Sequence, residues 1–144
     1  MITYRQISTI DREYLLEKEL RNKVLRMPLG LTLSEKDLAG EDKQVHLVAM
    51  NGKGQVVGCV LVAFPDKGAK IRQISVDEGY RGRGIGTQLI QEAEQAVRER
   101  HIGIVTLHAR LASRAFFEKL GYRATSDVFT EVTIPHIAME KRCS

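Results

Sequence analysis

The stretch Ile74-Ser75-Val76-Asp77-Glu78-Gly79-Tyr80-Arg81-Gly82-Arg83-Gly84-Ile85-Gly86-Thr87 holds the residue types and spacings in this 144-residue chain that could do chemistry. Gly82, Gly84 and Gly86 alternate with Arg83 and follow Arg81, just ahead of a segment patterned as a helix. Glycines let an anion come close to backbone N–H groups, and a helix N-terminus adds unpaired donors and partial positive charge. That dipole contributes about 0.3–1 kcal/mol per exposed charge, and arginines add charge-assisted contacts. Such a segment is built to cradle a diphosphate. A Walker loop needs Gly-Lys-Ser/Thr, whereas Thr87 follows Gly86 directly; a Gly-x-Gly-x-x-Gly fingerprint counted from Gly82 ends on Thr87 and fails. On spacing alone, a glycine-rich turn that packs a helix close to a strand remains the plain alternative.

The flanking elements must hold this turn in place. Ile2 to Ile7 alternates as a strand. Asp11 can cap a helix running to about Met27, with Tyr14, Leu15, Leu20, Val24 and Leu25 on its apolar positions, and Pro28-Leu29-Gly30 ends it. Residues 31–44 read as a loop with a helical turn. Val45–Met50, Val56–Phe64 and Ala69–Val76 form a meander joined at Asn51-Gly52-Lys53-Gly54 and Pro65-Asp66-Lys67-Gly68. Ile85, Leu89, Ile90, Ala93, Ala96 and Val97 then recur at helical spacing to about Arg100. Ile102–Leu107 is a strand, Ala112–Leu120 a second amphipathic helix stopped by Gly121, and Tyr122–Phe129 and Thr133–Lys141 close the chain as strands. The expected fold is α/β (α+β): one domain over 1–144 with helices on both faces of a mixed, mostly antiparallel sheet. Strands 69–76 and 102–107 should be parallel and joined by a right-handed crossover.

Composition narrows the function classes. Hydrophobic residues make up 43% and charged residues 28%, within the range of globular proteins. The net charge of +4 favours anionic ligands but lacks the dense basic tracts of a nucleic-acid binder. Cys59 and Cys143 form neither a disulfide framework nor a metal spacing, so a reducing, cytoplasmic compartment and no metal are expected. No apolar run approaches the ~20 residues of a membrane helix, so no membrane partner is expected either.

Arg81-Gly82-Arg83-Gly84-Ile85-Gly86 matches Arg/Gln-x-x-Gly-x-Gly/Ala, and Phe117-Glu118-Lys119-Leu120-Gly121-Tyr122 follows in the appropriate order. Over roughly residues 45 to 141 the chain thereby resembles the GNAT acetyltransferase superfamily. Ile134-Pro135-His136, with Met139 and Lys141, is similar to its ElaA-like branch. The resemblance implies an N-acetyltransferase with acetyl-CoA as cosubstrate and a small-molecule or protein amine as acceptor, by direct transfer in a ternary complex. It implies that the amides of Arg81, Gly82, Arg83, Gly84, Ile85, Gly86 and Thr87 hold the diphosphate. It further implies that the parallel strands are splayed apart, that the pantetheine pairs with the backbone near Ile74 and Val76, and that the Val76 N–H faces the developing oxyanion. A homodimer is compatible with it.

The sequence departs from that pattern in three places. Phe117 stands where many relatives have a tyrosine acid, Arg72 where many have a carboxylate, and Arg110 where a helix-start asparagine is common; Arg110 could instead meet a CoA phosphate. His108, whose imidazole changes charge near neutral pH, is the candidate proton acceptor, and Tyr122 a candidate donor to the thiolate. His46 and His136 are candidates to line the acceptor pocket. With these departures, a non-catalytic acyl-CoA-binding module is the alternative to an enzyme.

Overall fold

An apolar strand without polar alternation must be covered on both faces, and Val56-Val57-Gly58-Cys59-Val60-Leu61-Val62 is buried along its whole length. The computed structural model describes residues 1–143. Along the chain come β1 (Thr3–Ile7), α1 (Arg12–Arg21), α2 (Glu35–Leu38), β2 (Val45–Met50), β3 (Val56–Ala63), β4 (Ala69–Val76), α3 (Ile85–Glu99), β5 (Ile104–Arg110), α4 (Arg114–Lys119), β6 (Arg123–Ala124), β7 (Phe129–Glu131) and β8 (Ile134–Arg142). They build one sheet in the order β1-β2-β3-β4-β5-β8-β6, with β7 added on β8. Every pairing is antiparallel except β4 with β5.

α1 covers one face, where Leu20 meets Ile7, Val48, Met50 and Cys59. α3 and α4 cover the other, with Ile85, Leu89, Ile90, Ala93, Val97 and Phe117 in one core with Val57, Leu107 and Met139. α3 sits unusually close to the sheet because of Gly58. A Cβ there would lie 2.9 Å from Ile85 Cγ2 and 3.1 Å from Leu89 Cδ1, so hydrogen at this position sets how near the start of α3 comes to β3. No helix among the described residues is long and apolar enough to cross a membrane.

The sequence reading misplaced several boundaries. α1 ends at Arg21 and unwinds into a π turn over Asn22–Arg26 and a 3-10 turn over Met27–Leu29. Asp11 makes no side-chain bond into the helix; its carboxylate accepts from the Ser8 N–H instead. The expected turn in the loop is α2, closed by a reciprocal capping box between Ser34 and Asp37. β5 starts later and runs to Arg110, so His108 and Arg110 belong to a strand, not to the loop or helix start after it. The two closing strands are three, because β7 and β8 meet in a two-residue turn at Val132-Thr133.

Valine favours strands, so Gly58→Val tests the packing on α3 and not strand propensity. It is expected to lower the unfolding free energy by about 1–3 kcal/mol, read as an earlier urea midpoint.

Candidate active site

The cleft originates in an irregularity of β4. Between the pairs Leu61↔Arg72 and Cys59↔Ser75, β3 advances two residues while β4 advances three, which is a β-bulge. Gln73 sits in it with φ 56°, a left-handed conformation that costs an L-residue roughly 1–2 kcal/mol. The parallel pairing of β4 and β5 covers only Ala69↔Val105, Lys70↔Thr106 and Ile71↔Leu107. Beyond Ile71 and Leu107 the strands separate, and the opened wedge is a cleft of ≈ 680 Å³. Gln73, Ile74, Ser75 and Val76 line it from β4, and His108, Ala109 and Arg110 from β5.

The glycine-rich turn closes one side of the wedge. Gly82 and Gly84 both have positive φ (77° and 78°), and a Cβ on either would point into open space. Backbone N–H groups in such turns form concavities for anions. Among the described residues the amides of Gly82, Arg83, Gly84, Ile85, Gly86 and Thr87 donate to no protein acceptor, and the first α3 bond comes from Gln88 to the Gly84 carbonyl (3.0 Å). Opposite, the Asp77 N–H donates to the Val57 carbonyl (2.8 Å) on β3. Alternation along an extended chain therefore turns the Val76 N–H away from β3, toward the wedge.

The charge of the cleft is set by three arginines. Arg110 Nη2 and Arg26 Nη1 both donate to the Leu25 carbonyl, at 3.0 and 3.2 Å. Burial and the charges of Arg26 and Arg81 lower the Arg110 pKa. Arg26 is neutralised by Asp37, while Arg110 has no carboxylate partner among the described residues. An anion in the cleft would relieve this like-charge crowding.

Behind the bulge, on the α1 face, lies a buried polar network. Arg21 donates to Glu17 and to both oxygens of Glu41, and its Nε donates to Gln73 Oε1 at 3.0 Å. Tyr14 Oη donates to Glu41 at 2.8 Å. Arg72 bonds Glu41, Gln44 and the Asp37 carbonyl, and is absent from the cleft lining. Arg72 thus ties residues 37–44 to β4. Burial alone would raise the Glu41 pKa, but the Arg21 bonds outweigh it and the net shift is down.

The expected site residues divide accordingly. Ile74, Val76, Arg81, Gly82, Gly84, Ile85, Gly86, Thr87, His108, Arg110 and His136 all line the cleft. Arg83 does not: its guanidinium lies over the Tyr80 ring at 4.9 Å, leaving its amide to serve the turn. Tyr122 is corrected from a donor at the thioester to a core residue, since its hydroxyl donates to Glu94 (2.8 Å) away from the cleft. Burial and Glu94 push its pKa upward. His46 is corrected too. It lies in the buried network, with Nδ1 at 3.0 Å from Glu17 Oε1 and Nε2 at 2.7 Å from the Glu41 carbonyl. The sequence reading missed Gln73, the π-turn residues Val24, Leu25 and Arg26, Phe116, and Glu131 with Val132. No local spacing marks them, because a bulge and an unwound helix end bring them together.

Residues 32–143 match the acetyltransferase (GNAT) domain family. A Bacillus subtilis protein provisionally named an acetyltransferase is 31% identical over 115 residues, 80% of this chain and 77% of that one. The chain belongs to the GNAT acetyltransferase family and is an acyltransferase. The crystal structure of an acyl-CoA N-acyltransferase from Pseudomonas aeruginosa shares its fold, with a TM-score of 0.84 over 98% of this chain and 99% of that one at 24% identity. Escherichia coli ElaA shares the fold as well, with a TM-score of 0.85 over 98% of this chain and 99% of that one at 20% identity.

Both acceptors around His46, a carboxylate and a carbonyl, require a donor, so the ring is held as an imidazolium. Burial alone would lower its pKa; the bonds to Glu17 and the Glu41 carbonyl reverse this, and the net shift is up. A folded pKa above the unfolded value of about 6.5 gives stability that is full below that value. It is lost as pH rises through the folded pKa. Urea unfolding is expected to show stability falling over that range with a slope up to about 1.4 kcal/mol per pH unit. His46→Gln, which cannot titrate, should flatten it.

Proposed function

We propose that this protein transfers an acetyl group from acetyl-CoA to a primary amine by direct attack in a ternary complex. The observation that bears the reading is the run of unpaired amides from Gly82 to Thr87, facing a wedge whose β4 side still offers backbone groups for pairing. In this reading the diphosphate sits on those amides with Arg81 beside it. Arg110 supplies a further positive charge, and the pantetheine lies along Ile74–Val76. The Val76 N–H would then hold the oxyanion that forms when the amine adds to the thioester carbon. That the Pseudomonas relative is called an acyl-CoA N-acyltransferase supports the choice of cosubstrate.

The attacking nitrogen has to lose a proton, and the cleft offers the imidazoles of His108 and His136 for it. His108 is the better placed of the two. It lies one residue beyond the last position at which β5 pairs with β4, whereas the His136 ring is almost wholly buried. α4 contributes only Phe116 and Phe117 to the lining, so the thiolate receives no hydroxyl donor from that helix.

Titration calorimetry with acetyl-CoA tests the cradle. The wild-type chain is expected to bind saturably, and Gly84→Val to bind about tenfold or more weakly, because the side chain strains the left-handed turn and blocks the anion's approach. No heat with the wild type, or equal affinity in the variant, would sink the reading. Release of free CoA in the presence of an amine panel separates an enzyme from a module that only binds acyl-CoA.

A further inference from the structure

Of the charged residues lining the cleft, Arg26, Arg81 and Arg110 are cationic and Glu131 is the one carboxylate. It stands at the end of β7, directly before the turn into β8. Its Oε1 is 2.9 Å from His108 Nδ1. Its other oxygen faces His136 Nε2 at 3.8 Å, and His136 Nδ1 lies 2.9 Å from the Ile134 carbonyl. Phe129 closes on the His108 ring edge-on, with centroids 5.1 Å apart, and stacks on His136. The His108 ring is therefore fixed at Nδ1 and on its side, while Nε2 has no protein partner among the described residues.

The turn that presents Glu131 is itself strained. Val132 and Thr133 have φ of 50° and 67°. A two-residue hairpin turn of this kind (type I′) has positive φ at both central positions, which Asn-Gly or Asp-Gly provides cheaply and two β-branched residues do not. Strain of this kind persists where the surroundings over-determine it, commonly at functional sites. Here it holds a carboxylate against an imidazole that lines the cleft, whereas a half-exposed hydrogen-bonded pair of this kind by itself contributes little to stability.

We propose that Glu131 is a positioning residue for acetyl transfer, holding His108 in the tautomer whose Nε2 lone pair receives the acceptor amine's proton; the proposal rests on the acetyltransferase reading above. As the amine nitrogen forms its bond to the thioester carbon, its proton passes to Nε2 and Glu131 stabilises the imidazolium. The C–S bond then breaks, and the proton ends on the departing thiolate, giving the amide and free CoA. The carboxylate also draws an incoming ammonium away from the three arginines, whose charge suits the diphosphate; the ammonium gives its first proton to bulk water, and the neutral amine then attacks as described.

Two readouts test this. Nitrogen-15 NMR of the histidine rings above neutral pH should show His108 protonated at Nδ1 in the wild type, and a shift toward the Nε2–H tautomer in Glu131→Ala. For the kinetic arm, the probes are an arylalkylamine, an aminoglycoside and an alanyl peptide. With those that turn over, Glu131→Gln should lower kcat about tenfold to a hundredfold, part of the ~10²–10⁴ that a general base supplies. The KM for acetyl-CoA should move less than about twofold, since the interaction lost is one made in the transition state. An unchanged His108 tautomer in Glu131→Ala, or a full kcat in Glu131→Gln, would overturn the proposal. Failure of the wild type to bind acetyl-CoA would strike the acetyltransferase reading instead, because the NMR signal reports the His108–Glu131 pair without any ligand.

Discussion

A single left-handed residue in β4 governs the rest of this molecule. Gln73 inserts one extra position against β3, and the strand that leaves the bulge no longer meets β5. Parallel strands in register would leave no room for a ligand between them. The conformation is unfavourable for glutamine, and the chain holds it by capturing the Gln73 side chain from Arg21 and its carbonyl from the Ser75 hydroxyl at 3.2 Å. Arg21 is in turn fixed by Glu17 and Glu41, with no exposed surface of its own. Replacing a buried ion pair by apolar residues is often neutral for stability, whereas removing one partner costs about 3–5 kcal/mol. The network is thus better understood as what specifies the bulge than as what stabilises the fold.

The two ends of the wedge carry opposite electrostatic characters, and each arises from a different structural device. At the α3 end, positive φ at Gly82 and Gly84 turns successive amides outward, and Gly58 lets the helix start come down onto β3. These are backbone devices, so the charge pattern they present depends little on side chains. At the other end, β7 and β8 bring Glu131, His108 and His136 together around Phe129. These are side-chain devices on a hairpin, where specificity for an acceptor can vary without disturbing the cradle.

Legibility in the sequence follows the same split. The glycine-rich turn, the crossover helix and the meander could be read because glycine spacing and apolar periodicity are local signals. His108 could be named because an imidazole is rare and chemically distinct, although its strand was placed three residues short. Gln73 could not be found: nothing in Ile71-Arg72-Gln73-Ile74 distinguishes a bulge from a regular strand. The link between the two expected closing strands falls at residues 130–132, but the tight turn is centred on Val132-Thr133; two β-branched residues give no turn signal, so the hairpin that presents Glu131 is not marked in the sequence. His46 and Tyr122 were misassigned for a related reason. A polar side chain on a strand or after a helix gives no sign of whether its partner is a ligand or a buried carboxylate, and here both partners are carboxylates, Glu17 and Glu94.

For the proposed transfer, relative magnitudes show what a phenylalanine at position 117 would cost. Holding an amine and a thioester in attack geometry can lower a barrier by about 7–11 kcal/mol. A general acid or base contributes about 10²–10⁴-fold, or roughly 3–5 kcal/mol. The larger share depends on the bulge, the wedge and the amide cradle, all present here; the smaller can be divided between groups, and a thiolate is already a good leaving group with a thiol pKa of about 8.5. Proton removal from the incoming amine, with a pKa near 10 for an alkylammonium, is the more demanding half. Phe117 is therefore compatible with the proposed transfer so long as one imidazole in the cleft is kept in a fixed tautomer, which is the role proposed for Glu131, 2.9 Å from His108 Nδ1.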